Sequence, residues 1–111
     1  MKVTNIQSTG DRGWFVGCFE KAAHKTDLAE VCYKIEPPGP IEAHYHTKCT
    51  ELIFIVKGQA SCQNQKFENG DIFILAPGEI NDTIYLTECE VISVKTPAGG
   101  QDKVLVERNT I

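Results

Sequence analysis

Two of the three histidines lie close together in the sequence, and a glutamate follows them. A single residue, Tyr45, separates His44 from His46, and Glu51 begins the most apolar stretch of the chain. Because side chains alternate between the two faces of a strand, the two histidines would point to one side and Tyr45 to the other. Two imidazole nitrogens and a carboxylate oxygen that converge can hold a divalent metal and leave coordination positions open for a substrate.

The spacing around these residues resembles the first motif of the cupins, which are small β-barrels of the jelly-roll kind. That motif has a glycine, two histidines one residue apart, a glutamate and a final glycine. The matching residues are Gly39, His44, His46, Glu51 and Gly58. The first glycine lies one residue closer to the histidines than in the usual pattern. The resemblance implies that the histidines and the glutamate line the mouth of a barrel.

Residues 70–85 resemble the second cupin motif. Gly70 and Gly78 match in place, but Asn81 stands where the family has its third metal-binding histidine. Tyr85 stands where the family has an asparagine. The chain thus resembles a small single-domain cupin with a degenerate second motif.

The resemblance implies a mononuclear metal site formed by His44, His46 and Glu51, with the carbonyl oxygen of Asn81 as a weaker neutral ligand. Such a mixed set of nitrogen and oxygen ligands suits Fe, Mn, Ni, Co or Zn. Asp82 is a neighbouring carboxylate, but the alternation of side chains along a strand turns it away from the side that Asn81 faces. A barrel that keeps the histidines without a metal is the alternative.

The reaction stays open, because metal cupins include dioxygenases, sugar and sugar-acid isomerases, decarboxylases and lyases. Glu51 could act as a metal ligand or as a base, and Tyr85 as a proton donor or as a packed barrel residue. We expect a small polar metabolite, sugar-like or a carboxylate, as the ligand or substrate. The alternatives are a non-catalytic binding or sensing module without metal and a purely structural barrel.

Length and composition predict one domain over residues 1–111 and limit its partners. A net charge of −4 without a cluster of Lys and Arg argues against nucleic acid as a partner. The longest apolar run, 52–56, is too short to cross a bilayer, so no membrane association is expected. The first residues contain no apolar signal segment, which predicts a cytoplasmic protein. The five cysteines form no closely spaced pair and are expected to be reduced.

The whole chain reads as short strands separated by turn residues, and no stretch of ten residues has helical periodicity. We therefore predict an all-β fold, an antiparallel double-sheet jelly-roll barrel. Strands are predicted at 3–7, 14–19, 28–35, 42–46, 51–57, 60–63, 66–68, 72–75, 81–86, 90–96 and 104–106. Both faces of 51–57 are apolar, which predicts a strand between two layers, and 72–75 is predicted to be buried.

The resemblance also implies a homodimer, since small cupins commonly pair the edge strands of neighbouring barrels. Trp14 and Phe15 are the candidate interface residues. Cys49 lies in the turn between the histidines and Glu51, close to the expected site. His24 is predicted to be a solvated loop residue.

Overall fold

The computed structural model describes residues 1–108, which form twelve short strands and no helix. The strands are β1 Trp14–Gly17, β2 His24–Lys25, β3 Glu30–Glu36, β4 Gly39–Pro40, β5 His44–His46, β6 Thr50–Lys57, β7 Ala60–Cys62, β8 Gln65–Phe67, β9 Ile72–Leu75, β10 Ile84–Tyr85, β11 Cys89–Thr96 and β12 Lys103–Leu105. No described segment is a helix long and apolar enough to cross a membrane. The prediction of one domain over 1–111 includes residues 109–111, which lie outside the described part.

The strands form three sheets that are almost entirely antiparallel. The largest sheet has six strands in the order β2-β1-β3-β11-β6-β9. The second has the order β4-β10-β7-β8, and the third pairs β12 with β5. The one parallel contact among the described residues joins β1 to β2. The predicted all-β, antiparallel jelly-roll architecture is confirmed.

The strand β6 has one buried face and one half-buried face. Glu51, Ile53 and Ile55 point into the barrel and are at most 6% exposed. Leu52 and Phe54 point outward and are half-buried. The outer side of β6 is therefore only partly covered, whereas the prediction placed the strand between two layers.

The strand β9 pairs with β6 at the edge of the large sheet, and it too is buried on one face only. Phe73 and Leu75 point inward, whereas Ile72 and Ile74 are 55% and 60% exposed. The prediction of a fully buried strand is wrong for this outer face. An apolar run shows that both faces are apolar, but it does not show whether another layer covers each of them.

The barrel interior is apolar at one end and polar at the other. The apolar core consists of Ile53, Ile55, Ala60, Cys62, Phe73, Leu75, Tyr85, Cys89 and Val91. At the other end the register of β3 and β11 turns Lys34, Ser93 and Lys95 to the inner face. The outer face of the same two strands carries apolar side chains instead. This inversion leaves a polar cavity inside the barrel, beside the core.

The N-terminal segment does not form the strand predicted at 3–7. The side chain of Asn5 accepts a hydrogen bond from the Gln7 amide, and its carbonyl accepts one from Ser8. These local bonds make a turn of the kind that asparagine favours, and Val3 stays 79% exposed.

The predicted strand at 81–86 shortens to Ile84–Tyr85. The other predicted strands differ by a few residues at their ends.

Gly58, the last residue of the first motif, is required by close packing at the end of β6. Its φ is 114°, a conformation that L side chains rarely adopt. A Cβ at this position would lie 2.6 Å from the carbonyl oxygen of Glu88 and 2.6 Å from Cys89 Sγ. The chain can therefore leave β6 beside the Glu88 carbonyl without distortion only with glycine at this position.

Candidate metal centre

The two histidines of β5 lie side by side in the barrel interior. His44 is 7% exposed and His46 is 4% exposed, while Tyr45 between them points to the other face and is half-buried. The ring centroids of the two histidines are 5.1 Å apart and their planes are nearly perpendicular, at 85°. The strand parity expected from the sequence thus brings both imidazoles into the interior.

Each imidazole is held by its Nδ1 atom. His44 Nδ1 lies 2.8 Å from the carbonyl oxygen of Glu42, which can only accept, so this nitrogen carries the proton. His46 Nδ1 lies 2.7 Å from the Asp102 carboxylate and donates to it. With both protons on Nδ1, the Nε2 atoms of the neutral rings carry lone pairs directed into the barrel. This is the orientation that metal-ligating histidines usually have.

Glu51 of β6 faces both Nε2 atoms. Its Oε1 is 3.7 Å from His44 Nε2, and its Oε2 is 3.7 Å from His46 Nε2. These distances are too long for hydrogen bonds, but they are close to the spacing of about 3–3.5 Å between two ligands that share one metal. The three side chains form a group that could hold a metal ion, with ligand atoms all within 4.8 Å of one another.

His46 Nε2 is the most informative atom of this group. It is fully buried and makes no hydrogen bond within residues 1–108. Buried polar atoms are almost always paired, and here one acceptor faces another acceptor. A cation or a proton between His46 and Glu51 would remove this conflict. The facing Glu51 carboxylate accordingly raises the pKa of His46, and Asp102 adds to this effect while burial opposes it.

The electrostatics keep Glu51 ionised. Burial by itself would raise its pKa, but the facing imidazoles of His44 and His46, when protonated, and the donating amide of Asn81 outweigh burial and hold the pKa far below its usual range. A carboxylate that stays charged is suited to be a metal ligand, and it is poorly suited to take up a proton near neutral pH.

Asn81 lies beside the cluster, but its carbonyl oxygen points away from it. The backbone N–H of Thr83 can only donate, and it lies 3.1 Å from Asn81 Oδ1, which fixes that atom as the oxygen. The Thr83 hydroxyl donates to the same atom. The amide nitrogen therefore faces Glu51 and donates to Oε1 at 3.0 Å. In this arrangement Asn81 orients the carboxylate of Glu51 and does not present the oxygen expected of a ligand.

Asp102 is a buried residue of the site that the sequence did not indicate. Besides His46, it accepts hydrogen bonds from the backbone amides of Lys48 and Cys49, each 3.0 Å long. Burial would raise its pKa, but the bonds from His46, Cys49 and Lys48 lower it to about 2. Asp102 precedes β12, which pairs with β5, so a prediction of that pairing would have been the signal for it.

Tyr85 and the cluster line the same cavity, of about 320 Å³. Tyr85 is 6% exposed and belongs also to the apolar core. Burial, followed by the charges of nearby groups, raises its pKa, so the hydroxyl keeps its proton. No side-chain hydrogen bond of Tyr85 occurs within the described chain. The hydroxyl can therefore donate to a molecule in the cavity.

Three other residues considered from the sequence lie outside the cluster or play another part. His24 is exposed in β2. Asp82 faces away, as the strand alternation predicted, and accepts a hydrogen bond from the Gln63 amide. Cys49 is fully buried, and burial, together with Asp102, raises its pKa to about 12, so it remains an unreactive thiol. All five cysteines are free, as expected.

Comparisons with known proteins support the fold. No family model and no curated protein matches the sequence. A Klebsiella pneumoniae protein with a double-stranded β-helix domain is 24% identical, with a TM-score of 0.66, over 75% of this chain and 74% of that one. A cupin-2 domain protein from Shewanella frigidimarina is 15% identical, with a TM-score of 0.55, over 64% of this chain and 72% of that one.

A third solved structure matches almost the whole length. It is Pac13, a nucleoside dehydratase, which is 13% identical with a TM-score of 0.72 over 99% of this chain and 95% of its own. Single-substitution variants of the Streptomyces protein have also been solved with uridine. At these identities the likeness concerns the fold, which is a small cupin-like barrel, and the prediction made from the two motifs is confirmed.

Proposed function

We propose that this cupin-fold chain binds one divalent metal through His44, His46 and Glu51 and acts with it on a small polar metabolite. The observation that carries the proposal is the buried, unpartnered Nε2 of His46, directed at a carboxylate that stays ionised. The donor set, two neutral nitrogens and one anionic oxygen, suits Fe, Mn, Ni, Co or Zn. Asp102 and the Glu42 carbonyl would keep the two rings in the ligating tautomer.

The metal would supply Lewis acidity or, as iron, oxygen chemistry to a bound molecule. Around it, each residue of the chain has a separate task. Asn81 holds Glu51 by a hydrogen bond, so that its oxygens face the histidines. Tyr85 offers a protonated hydroxyl to the ligand from the apolar side of the cavity. Its raised pKa suits a hydrogen-bond or proton donor and disfavours a base at neutral pH.

The test is the metal content of untagged protein, measured by elemental analysis before and after reconstitution with Fe, Mn, Ni, Co and Zn salts. We expect close to one equivalent in the wild type and none in the His44→Ala, His46→Ala double variant. His24→Ala is the matched control, because it removes an exposed histidine and should keep the metal. Equal metal content in the wild type and the double variant would contradict the proposal.

The second candidate function is a non-catalytic module that binds or senses a small molecule without metal. The position of Asn81 favours it, because Asn81 replaces a ligand of the family and turns its oxygen to Thr83. Uridine binding by the structurally similar Pac13 supports a small-molecule ligand for this fold. Ligand binding that persists unchanged in the histidine double variant would identify this second function.

We also infer that two copies associate through the outer face of the large sheet. Of the two interface residues expected from the sequence, Trp14 lines the cavity instead, whereas Phe15 stays a candidate. The face carries ten apolar side chains, namely Val31, Tyr33, Ile35, Leu52, Phe54, Val56, Ile72, Ile74, Ile92 and Val94. A second copy suits this face because its side chains are mainly apolar, and a twofold sheet-on-sheet contact would bury them.

The size of this face agrees with a dimer contact. Four strands about 4.8 Å apart and about seven residues long give roughly 440 Å² in projection. This would form the centre of an interface that usually buries about 800 Å² per partner. We expect a dimeric mass in light scattering and a monomeric mass for Ile74→Lys, with Ile80→Lys, at another exposed isoleucine, as control. A monomeric wild type would contradict the inference.

Free cysteines further support the predicted cytoplasmic location.

A further inference from the structure

The lining of the cavity beside the cluster carries a formal excess of one positive charge, although the chain as a whole has a net charge of −4. Its lining holds four cationic side chains, Arg12, Lys34, Lys95 and Lys103. Three carboxylates line it as well, and Glu51 is one of them. A divalent metal at the cluster would raise the excess of positive charge further. Such a cavity favours anions over neutral molecules.

Lys95 differs from the other three cations by its environment. It is half-buried and forms no ion pair with any carboxylate in the described part of the chain. By contrast, Arg12 lies 3.7 Å from Asp11, and Lys34 lies 4.0 Å from Glu36. Lys103 differs from Lys95 because it is exposed. An unpaired ammonium group inside a cavity is available to a ligand.

The position of Lys95 is unexpected for a lysine whose neighbour is a carboxylate. Lys95 of β11 is directly opposite Glu51 of β6, on the inner face of the sheet. Residues opposite each other on one face normally interact. Here the ammonium lies instead over the ring of Trp14, 4.5 Å from its centroid. The ammonium is thus engaged by the Trp14 ring and forms no ion pair with Glu51, and both side chains line the cavity.

We propose that this cavity takes the acidic group of a small organic acid, with Lys95 as its anchor and Trp14 as the wall that positions Lys95. The second anchor, the metal, rests on the proposed function, whereas the lysine does not. A volume of about 320 Å³ fits about ten non-hydrogen atoms, since one water takes about 30 Å³ of liquid. The acidic group is a carboxylate or a phosphate monoester, which share the anionic oxygens that a lysine binds.

Calorimetric titration with four probes of suitable size tests the inference. Malate and glycerol 3-phosphate are the anionic probes, and glycerol and erythritol are the neutral ones. We expect at least one anionic probe to bind at least tenfold more tightly than either neutral probe. Tighter binding of malate would identify the acidic group as a carboxylate, and tighter binding of glycerol 3-phosphate would identify it as a phosphate. Binding of the neutral probes as tightly as the anionic ones, or no binding of either anion, would overturn the inference.

Lys95→Met, which keeps the aliphatic stem, should weaken the anion by about tenfold or more, because a hydrogen bond to a charged group is lost. Lys57→Met, at an exposed position that does not line the cavity, removes the same charge and should leave binding unchanged. Lys95→Arg should restore part of the affinity. An equal loss of anion affinity in the Lys57→Met and Lys95→Met variants would show that net charge alone causes the effect, and it would overturn the inference.

Metal content separates this inference from the proposed function. If the wild type holds no metal but its anion binding depends on Lys95, the metal proposal fails and the anion site stands. If the wild type and Lys95→Met hold equal metal and neither binds either anion, the anion site fails and the metal proposal stands.

Discussion

Asp102→Asn tests whether the site is built to present His46 to a metal. The two backbone amides of Lys48 and Cys49 both donate to one carboxylate oxygen of Asp102, so the oxygen of an asparagine would have to take that place. The NH₂ group would then face His46 Nδ1, where a proton now lies. To avoid two facing donors, His46 must move its proton to Nε2, and that nitrogen could no longer ligate.

The magnitudes separate an orienting role from a structural one. Loss of a partner that orients a metal-binding histidine costs about 10–100-fold in metal affinity. The charge lost from buried hydrogen bonds costs about 2 kcal/mol of unfolding free energy. For a domain of 111 residues, that lowers Tm by about 9 °C. The new tautomer would offset part of this loss, because Nε2–H could donate to Glu51.

Competition with a chelator measures the metal affinity, and urea unfolding of metal-free protein measures the stability. Asp27→Asn is the matched control, because Asp27 is exposed and its side chain makes no hydrogen bond within residues 1–108. It should change neither quantity. If Asp102→Asn loses stability but binds metal within two- to threefold of wild type, the carboxylate only ties the loop after β5, and the reasoning from the tautomer is refuted.

Three further predictions concern packing. Cys18 is the exposed cysteine and the other four are buried. A thiol reagent should therefore label one thiol per chain quickly in native protein and five after unfolding. Rapid labelling of two thiols in native protein would contradict the burial. Gly58→Ala should lower the unfolding free energy by about 2 kcal/mol in urea melts, because of the φ of 114° and the contact with Glu88; unchanged stability would mean that the turn can relax. Gly99→Ala would place a Cβ 2.8 Å from Asp102 Oδ1. The loss of metal-binding free energy in the chelator assay should therefore exceed the loss of unfolding free energy. A larger loss of unfolding free energy would argue against Asp102 as the orienting group.

The parts of the fold that depend on neighbours in sequence were predictable. Runs of β-branched and apolar residues mark β6 and β11, and the alternation of side chains along a strand brings His44 and His46 to one face. Glu51 could be placed with them because the resemblance supplied the contact between β5 and β6. What the alternation does not show is which face of a strand is inside. Apolar residues were therefore expected to be buried, whereas the outer face of the large sheet is apolar and the inner face carries Lys34 and Lys95.

Asp102 could not be found because its role depends on a contact across 56 residues. Nothing near position 102 marks the residue, since the carboxylate becomes part of the site only when β12 pairs with β5. The orientation of Asn81 has a similar origin. Its residue type allowed either a carbonyl ligand or an amide donor, and the backbone N–H of Thr83, a feature of the fold, selected the donor toward Glu51.

The orientation of Asn81 gives a prediction with a definite sign for Asn81→Asp. One oxygen would still accept from Thr83, and the other would replace the NH₂ group that lies 3.0 Å from Glu51 Oε1. Two facing carboxylates should destabilise the metal-free protein by about 2 kcal/mol, although protonation relieves part of the repulsion.

With metal the same substitution adds an anionic oxygen to the ligand set, so the repulsion becomes attraction to the cation. The rise in Tm on adding metal should therefore be larger in Asn81→Asp than in the wild type, and the two loaded proteins should differ less than the two metal-free ones. Asn64→Asp adds the same charge in an exposed hairpin turn and should leave the metal-induced rise unchanged. An equal rise in wild type and Asn81→Asp would place the metal, if one binds, away from Glu51 and contradict the site.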